Sequence, residues 1–180
     1  LRTEGERLEF FSRYEQMIME GAGVAVSMDL ARQIWTMAIS VPKDFTPFED
    51  VIPVLENLKN QGYRLGVLSN LRRDMQELCG RLGLANYLEF FISSADAGAE
   101  KPHPSIFLAA LEQMSAKPGE TVHVGDQYCS DVLGARAVGM HPVLIDRGGW
   151  NETIGDCPRI SSLSQLPGLL EQAPDSLMTS

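Results

Sequence analysis

From residue 48 onward, short apolar runs alternate with stretches whose apolar residues recur about every three to four positions, and this alternation constrains the fold more than any other feature. Val51, Val54, Leu55 and Leu58 form one face of a helix expected over residues 48–61, and Gly62 supplies its stop. A strand is expected over 63–68, then a helix over 73–82 with Met75, Leu78, Cys79 and Leu82 on one face, then a strand over 90–93. Pro104 opens a helix over 104–114, at an early position where a missing N–H costs nothing. Strands over 121–124 and 141–145 flank a helix over 132–138, and a short helix is expected over 164–170. Strands joined by crossover helices imply an α/β fold with a doubly wound parallel sheet. In such sheets ligands gather at the carboxyl ends of the strands.

The first third reads differently. Residues 4–20 are rich in helix formers and stop at Gly21-Ala22-Gly23. Ser27 or Asp29 can cap a second helix that runs to about Ile39. Pro42 and Pro47 mark residues 41–47 as a linker. The expected organisation is a helical part over 1–46 and an α/β domain over 47–180 with a C-terminal tail.

Composition narrows the function classes. The net charge of −9 and pI of about 4.8 give a surface that repels nucleic acid and anionic membrane. An anionic substrate would need local help from a cation, a lysine or backbone N–H groups. No segment reaches the roughly 18 apolar residues of a membrane helix, and residues 1–30 carry no signal-peptide pattern. Cys79, Cys129 and Cys157 form no CxxC pair, which fits a reducing cytoplasmic setting.

Three strand ends carry candidate chemistry. At the first, Ser69 and Asn70 follow an apolar run; the Ser69 hydroxyl and the next backbone N–H groups can bind a phosphate oxygen, or Ser69 simply turns the chain. At the second, Lys101 lies in a loop stiffened by Pro102 and Pro104; a lysine held there can bridge a phosphate and a carboxylate, or remain a solvated charge. The third is the most specific. Val122-His123-Val124 leads into Gly125-Asp126, with Asp131 in the next turn. Gly125 permits a sharp turn, and Asp126 and Asp131 offer hard oxygen ligands of the kind magnesium takes alongside a substrate phosphate. The competing interpretation is an Asp N-cap plus an unrelated acid in the first helical turn. His123 reads as a core residue or a support for a ligand, His103 as a loop histidine, and Trp35 and Trp150 as packing residues.

Taken in order, Ser69, Lys101-Pro102 and Gly125-Asp126…Asp131 resemble the motifs of the haloacid dehalogenase-like hydrolase superfamily. The resemblance covers about residues 48–147 and includes the surrounding Gly98-Ala99-Glu100-Lys101-Pro102-His103-Pro104 and Gly134-Ala135-Arg136-Ala137. It implies a phosphoglycolate-phosphatase-like, Mg2+-dependent hydrolase of small phosphorylated metabolites that works through an aspartyl-phosphate. Ser69 and the Asn70 backbone would hold phosphate, Lys101 would orient nucleophile and phosphate, and Asp126 and Asp131 would hold the metal. It implies further that the helical first third is part of a cap that closes over the site.

One motif of that family is absent. The nucleophile, an apolar strand ending in Asp-x-Asp, should precede Ser69. The aspartates that do precede it are Asp29, Asp44 and Asp50, and none follows an apolar strand. With Leu1 rather than Met at the start, the expectation is an N-terminally truncated chain without turnover of its own. A non-catalytic binding or regulatory protein on the same fold is the alternative. A 2-haloacid dehalogenase is a further one, disfavoured because Asp126 and Asp131 would repel an anionic haloacid.

Overall fold

The computed structural model describes residues 3–40, 45–71 and 73–172, in two compact units divided between Phe45 and Thr46. The first unit is a pair of helices, α1 (Glu4–Gly21) and α2 (Met28–Ser40). Thr3 and Glu6 close α1 with a reciprocal capping box. Ser27, rather than Asp29, caps α2, its hydroxyl accepting the Leu30 N–H at 3.2 Å. The pair is held by Phe11 stacked on Trp35, with ring centroids 4.4 Å apart, and by the fully buried Ala31. Part of the expected linker, including Asp44, lies outside the described residues.

The second unit runs α3 (Val51–Asn60), β1 (Gly66–Ser69), α4 (Met75–Arg81), β2 (Phe90–Ser93), α5 (Pro104–Met114), β3 (Val122–Gly125), α6 (Leu133–Ala137), β4 (His141–Ile145), β5 (Arg159–Ile160) and α7 (Leu166–Glu171). Every strand pair is parallel, as crossover helices require. Helices cover both faces. Val54, Leu58 and Leu166 pack with Val143 and Ile160 on one side, joined by Val122 and Val124. Ile106, Phe107, Ala110 and Leu111 pack with Phe90, Ile92 and Ala135 on the other. Met75, Leu78 and Cys79 of α4 form a third cluster against Val67 and Phe91. The short strand β5 has no counterpart among the expected elements. Its two residues carry too little pattern to mark a strand.

The sheet comes in two parts rather than one. β1 pairs with β2, and separately β3 pairs with β4 and β4 with β5. Between β1 and β3 lies a cavity of about 570 Å³, lined by Gly66, Val67, Leu68, Val122, His123 and Val124 and by residues of α3, α5 and α7. Val67, Leu68, Val122 and Val124 are only half-buried, although they belong to strands covered on both faces. Gly66 is needed where it stands, since a Cβ there would meet the Phe90 ring at 1.8 Å.

A polar latch ties the start of this unit to its end. Asp50 accepts both Arg147 Nη groups at 2.9 Å, the Ser162 hydroxyl at 2.7 Å and the Leu163 N–H at 2.7 Å. The Arg147 guanidinium also lies over the Phe48 ring, 4.1 Å from its centroid.

Candidate functional site

Lys101 joins the two halves of the sheet at their carboxyl ends. Its ammonium donates to Asp131 Oδ1 at 2.6 Å and points at the Leu68 carbonyl of β1 at 3.4 Å. The pair is shielded from water, with 13% of the lysine and 4% of the aspartate side chain exposed. The Lys101 backbone is fixed by Asn70, whose Oδ1 accepts the Lys101 N–H at 2.7 Å while its Nδ2 donates to the Lys101 carbonyl at 3.1 Å. Those two bonds bring the loop before α5 to the end of β1. Pro104 at the first turn of α5 and the His103 side chain capping Ser105 N–H define where that helix begins.

Asp131 sits in a π-helical turn, Tyr128–Val132, between β3 and α6. Such turns widen the helix and recur at functional sites. Both carboxylate oxygens are engaged: Oδ1 by Lys101 and by His123 Nε2 at 3.0 Å, and Oδ2 by the Gln127 N–H at 3.0 Å. Burial pushes this carboxyl upward, but the bonds from His123, Lys101 and Gln127 outweigh it and hold it at about 2. Asp131 is therefore an ionised anchor at any physiological pH. Gly125 makes room for it, since a Cβ at that position would lie 2.1 Å from Asp131 Cγ. The turn itself is clamped from outside: Tyr128 donates to Asp156 at 2.7 Å, and Arg136 holds the same carboxylate at 2.8 Å.

Asp126, one residue past β3, is exposed and forms no hydrogen bond or ion pair among the described residues. Among the described residues its carboxylate has no partner, and a carboxylate oxygen is a hard donor. No group of three or more His, Cys, Asp or Glu side chains that could hold a metal occurs among the described residues. One free carboxylate is nonetheless what a magnesium site contributes when waters and a substrate phosphate supply the other positions.

The structure thus brings Ser69, Asn70, Lys101 and Asp131 together and leaves Asp126 free beside them. Ser69 Oγ accepts the Leu71 N–H at 3.1 Å, so in this state it turns the chain. The sequence points to the Asn70 backbone, whereas it is the Asn70 side chain that holds the Lys101 backbone. His123 supports Asp131 and packs edge-on against Phe107, with ring centroids 5.1 Å apart. Trp150, expected as a packing residue, is 90% exposed; it rides on a loop whose Trp150 and Asn151 N–H groups are tied to the buried Asp146 carboxylate. Asp29 stands in the first turn of α2, and Asp50 is committed to Arg147, so neither is available as a nucleophile here.

The family model for haloacid dehalogenase-like hydrolases matches residues 10–139, more than half of the chain. The chain belongs to that family. Among curated relatives, glyceraldehyde 3-phosphate phosphatase from Methanopyrus kandleri is 39% identical over 107 residues, covering 59% of this chain and 46% of the relative. The chain spans about half the length of the curated relatives it matches. The crystal structure of a HAD phosphatase from Thermococcus onnurineus superposes with a TM-score of 0.67 at 28% identity, covering 89% of this chain and 88% of that one. A 2-haloacid dehalogenase from Pseudomonas syringae superposes with a TM-score of 0.63 at 31% identity, covering 92% and 71%. The HAD-like fold is therefore established, with the strands running parallel and helices on both faces.

Proposed function

We propose that these residues form the phosphate- and cation-binding part of a Mg2+-dependent HAD-like hydrolase acting on small phosphate monoesters. The observation that carries this reading is the shielded Lys101–Asp131 pair beside an unengaged Asp126. A lysine whose charge is only partly used by one carboxylate can attract a phosphate without leaving a bare positive group buried. The similarity to a glyceraldehyde 3-phosphate phosphatase supports a small phosphorylated sugar or polyol as substrate.

In this reading Asp126 holds the metal and Asp131 holds the lysine. Direct coordination by Asp131 would require it to release Lys101, His123 or the Gln127 N–H. Bound magnesium would neutralise charge on the phosphoryl oxygens. Lys101 orients the phosphate and the attacking carboxylate, and Asn70 keeps Lys101 at the end of β1. The backbone N–H groups after Ser69 donate to a phosphate oxygen once it enters, the Leu71 N–H turning from Ser69 Oγ to do so. The nucleophile is an aspartate supplied by the longer parent protein through an aspartyl-phosphate. The helix pair over residues 1–46 is the remaining part of a cap that selects the substrate, and the setting is cytoplasmic.

The test is mutational. In the longer parent protein, Asp126→Asn is expected to lower Mg2+-dependent phosphate release by about 10²–10³-fold, the size seen when a charge-stabilising group is removed. The 180 residues alone are expected to release no phosphate. Full activity of Asp126→Asn would sink the metal assignment, and turnover by the 180 residues would sink the missing-nucleophile reading. The dehalogenase reading shares the fold, and the likeness to the Pseudomonas syringae enzyme keeps it in view. It predicts metal-independent halide release, for which an exposed Asp126 without a partner among the described residues is an electrostatic obstacle.

A further inference from the structure

Trp150 is 90% exposed, on a loop that leaves the sheet beside the candidate site. Single exposed apolar residues are ordinary on a protein surface. What sets this one apart is its place and the way it is held. Gly125 of β3 pairs with Leu144 of β4. Asp126 and Asp146 therefore leave the sheet at the same carboxyl edge, on neighbouring strands about 4.8 Å apart. The loop that starts at Asp146 ends back on the acidic turn, where Tyr128 and Arg136 hold Asp156. Both ends of the loop are thus fixed to the elements that carry Asp126 and Asp131.

The tip is fixed as well. The Asp146 carboxylate, with 2% of its side chain exposed, accepts the Trp150 N–H at 3.0 Å, the Asn151 N–H at 2.9 Å and an Arg159 Nη group at 3.3 Å. The indole lies on its own loop. A Cβ at Gly148 would meet indole Cε2 at 2.5 Å, Cζ2 at 2.8 Å and Cδ2 at 2.9 Å. Three ring atoms at nearly equal distance place Gly148 under the face of the ring and not at its rim. The opposite face is open to solvent. A large aromatic ring seated on a rigid loop can hold a flat uncharged group at little cost in side-chain entropy.

Charge narrows the class of that group. The two arginines of the loop, Arg147 and Arg159, are spent on Asp50 and Asp146. Glu152 Oε1 lies against Gly149, 3.6 Å from where a Cβ would stand, and Asp156 closes the loop. A carboxylate or a second phosphate on the substrate would meet acids here with no cation of the loop to offset them. A neutral ring would meet the indole.

We propose that Trp150 is the platform for the leaving group of the phosphate monoester, and that it favours a leaving group with a neutral ring, aryl or cyclic sugar, over one that carries a second anionic group. The phosphate end rests on the hydrolase reading; the platform rests on the loop alone.

In the longer parent protein, Trp150→Ala is expected to raise KM for p-nitrophenyl phosphate and glucose 6-phosphate roughly tenfold, the size of one lost aromatic contact. Its kcat should stay within about twofold, the pattern of binding lost away from the reacting atoms. KM for 2-phosphoglycolate and inhibition by inorganic phosphate should not move. Trp150→Phe should recover most of the loss. Gly148→Ala, whose Cβ unseats the indole, should raise the same KM values. An effect on one ring substrate and not the other identifies the ring and supports the platform. A fall in kcat shared by all three substrates, or an equal change in all three KM values, would overturn it, since Trp150 would then only support the loop.

A second measurement needs no turnover. In the 180-residue chain with Mg2+, p-nitrophenyl phosphate is expected to quench tryptophan emission saturably, and inorganic phosphate is not. Trp150→Phe leaves Trp35 as the one tryptophan and should abolish the quench. A quench that survives in Trp150→Phe, or none in the unaltered chain, would overturn the platform. So would a Trp150 shielded from acrylamide in the parent without substrate, because protein would then cover the indole. Quenching through Trp150 without phosphate release by the parent would count against the hydrolase reading and leave the platform standing.

Discussion

Asp131 is held by three donors at once, and its removal should be costly. Lys101, His123 and the Gln127 N–H all converge on it in a site closed to water. Taking away one partner of a buried ion pair leaves the other charged and unpaired, at a cost of about 3–5 kcal/mol. Asp131→Ala should therefore lower the unfolding free energy of the α/β unit by about that much, read by urea denaturation as a lower midpoint. The double variant Asp131→Leu with Lys101→Met should recover a good part of it, since no orphan charge remains. A single variant as stable as the parent would show that the pair is not buried in solution. At this scale the sequence marks candidate residues, and the structure shows which of them lie together. Gly125-Asp126 and Asp131 were visible as an acidic turn, but spacing cannot say which carboxylate is free. That depends on Lys101, thirty positions away in the chain, and on His123 pointing toward α5 from β3. The role of the Asn70 side chain was likewise hidden, because the Lys101 backbone that it grips comes close only after the loop before α5 has folded back onto β1.

Elements were legible where periodicity was strong. The residues of α5, β2 and β4 fall where their apolar patterns place them, because one buried face of a helix or a covered strand leaves little freedom in register. The turn after β3 departs from expectation: a helix over 132–138 begins instead with the π-helical turn Tyr128–Val132. Tyr128 and Arg136 both reach Asp156, and this tether lies beyond the span that local propensity can read. The same holds for the Asp50 latch, which joins the start of α3 to the end of β4 and the turn before α7. The Arg147 guanidinium holds the Asp50 carboxyl well below the usual range, against the opposing effect of burial, with help from Ser162 and Leu163. A carboxyl lowered in the folded state stabilises the fold above its unfolded pKa of about 3.9, and that contribution is lost as pH falls below it. Asp50→Asn should therefore cost about 1–3 kcal/mol at pH 7, measured by urea denaturation, with the difference from the parent shrinking below about pH 4. A constant difference down to pH 2 would contradict the latch.

For the whole molecule, the alternation of helices and strands was enough to reach a parallel α/β fold, and the three strand-end motifs were enough to reach the family. The division of the sheet was not legible in the sequence, whose alternating pattern implies a single doubly wound sheet. The structure shows two half-sheets, apolar on both faces, joined at their carboxyl ends by Lys101. The site and the cavity meet at that lysine. The most direct check is the initial rate of phosphate release from p-nitrophenyl phosphate by the longer parent protein, with and without Mg2+. The account predicts release that depends on Mg2+ and is lost on chelation. Release unaffected by chelation, or none with Mg2+ present while halide is freed from a 2-haloacid, would contradict it.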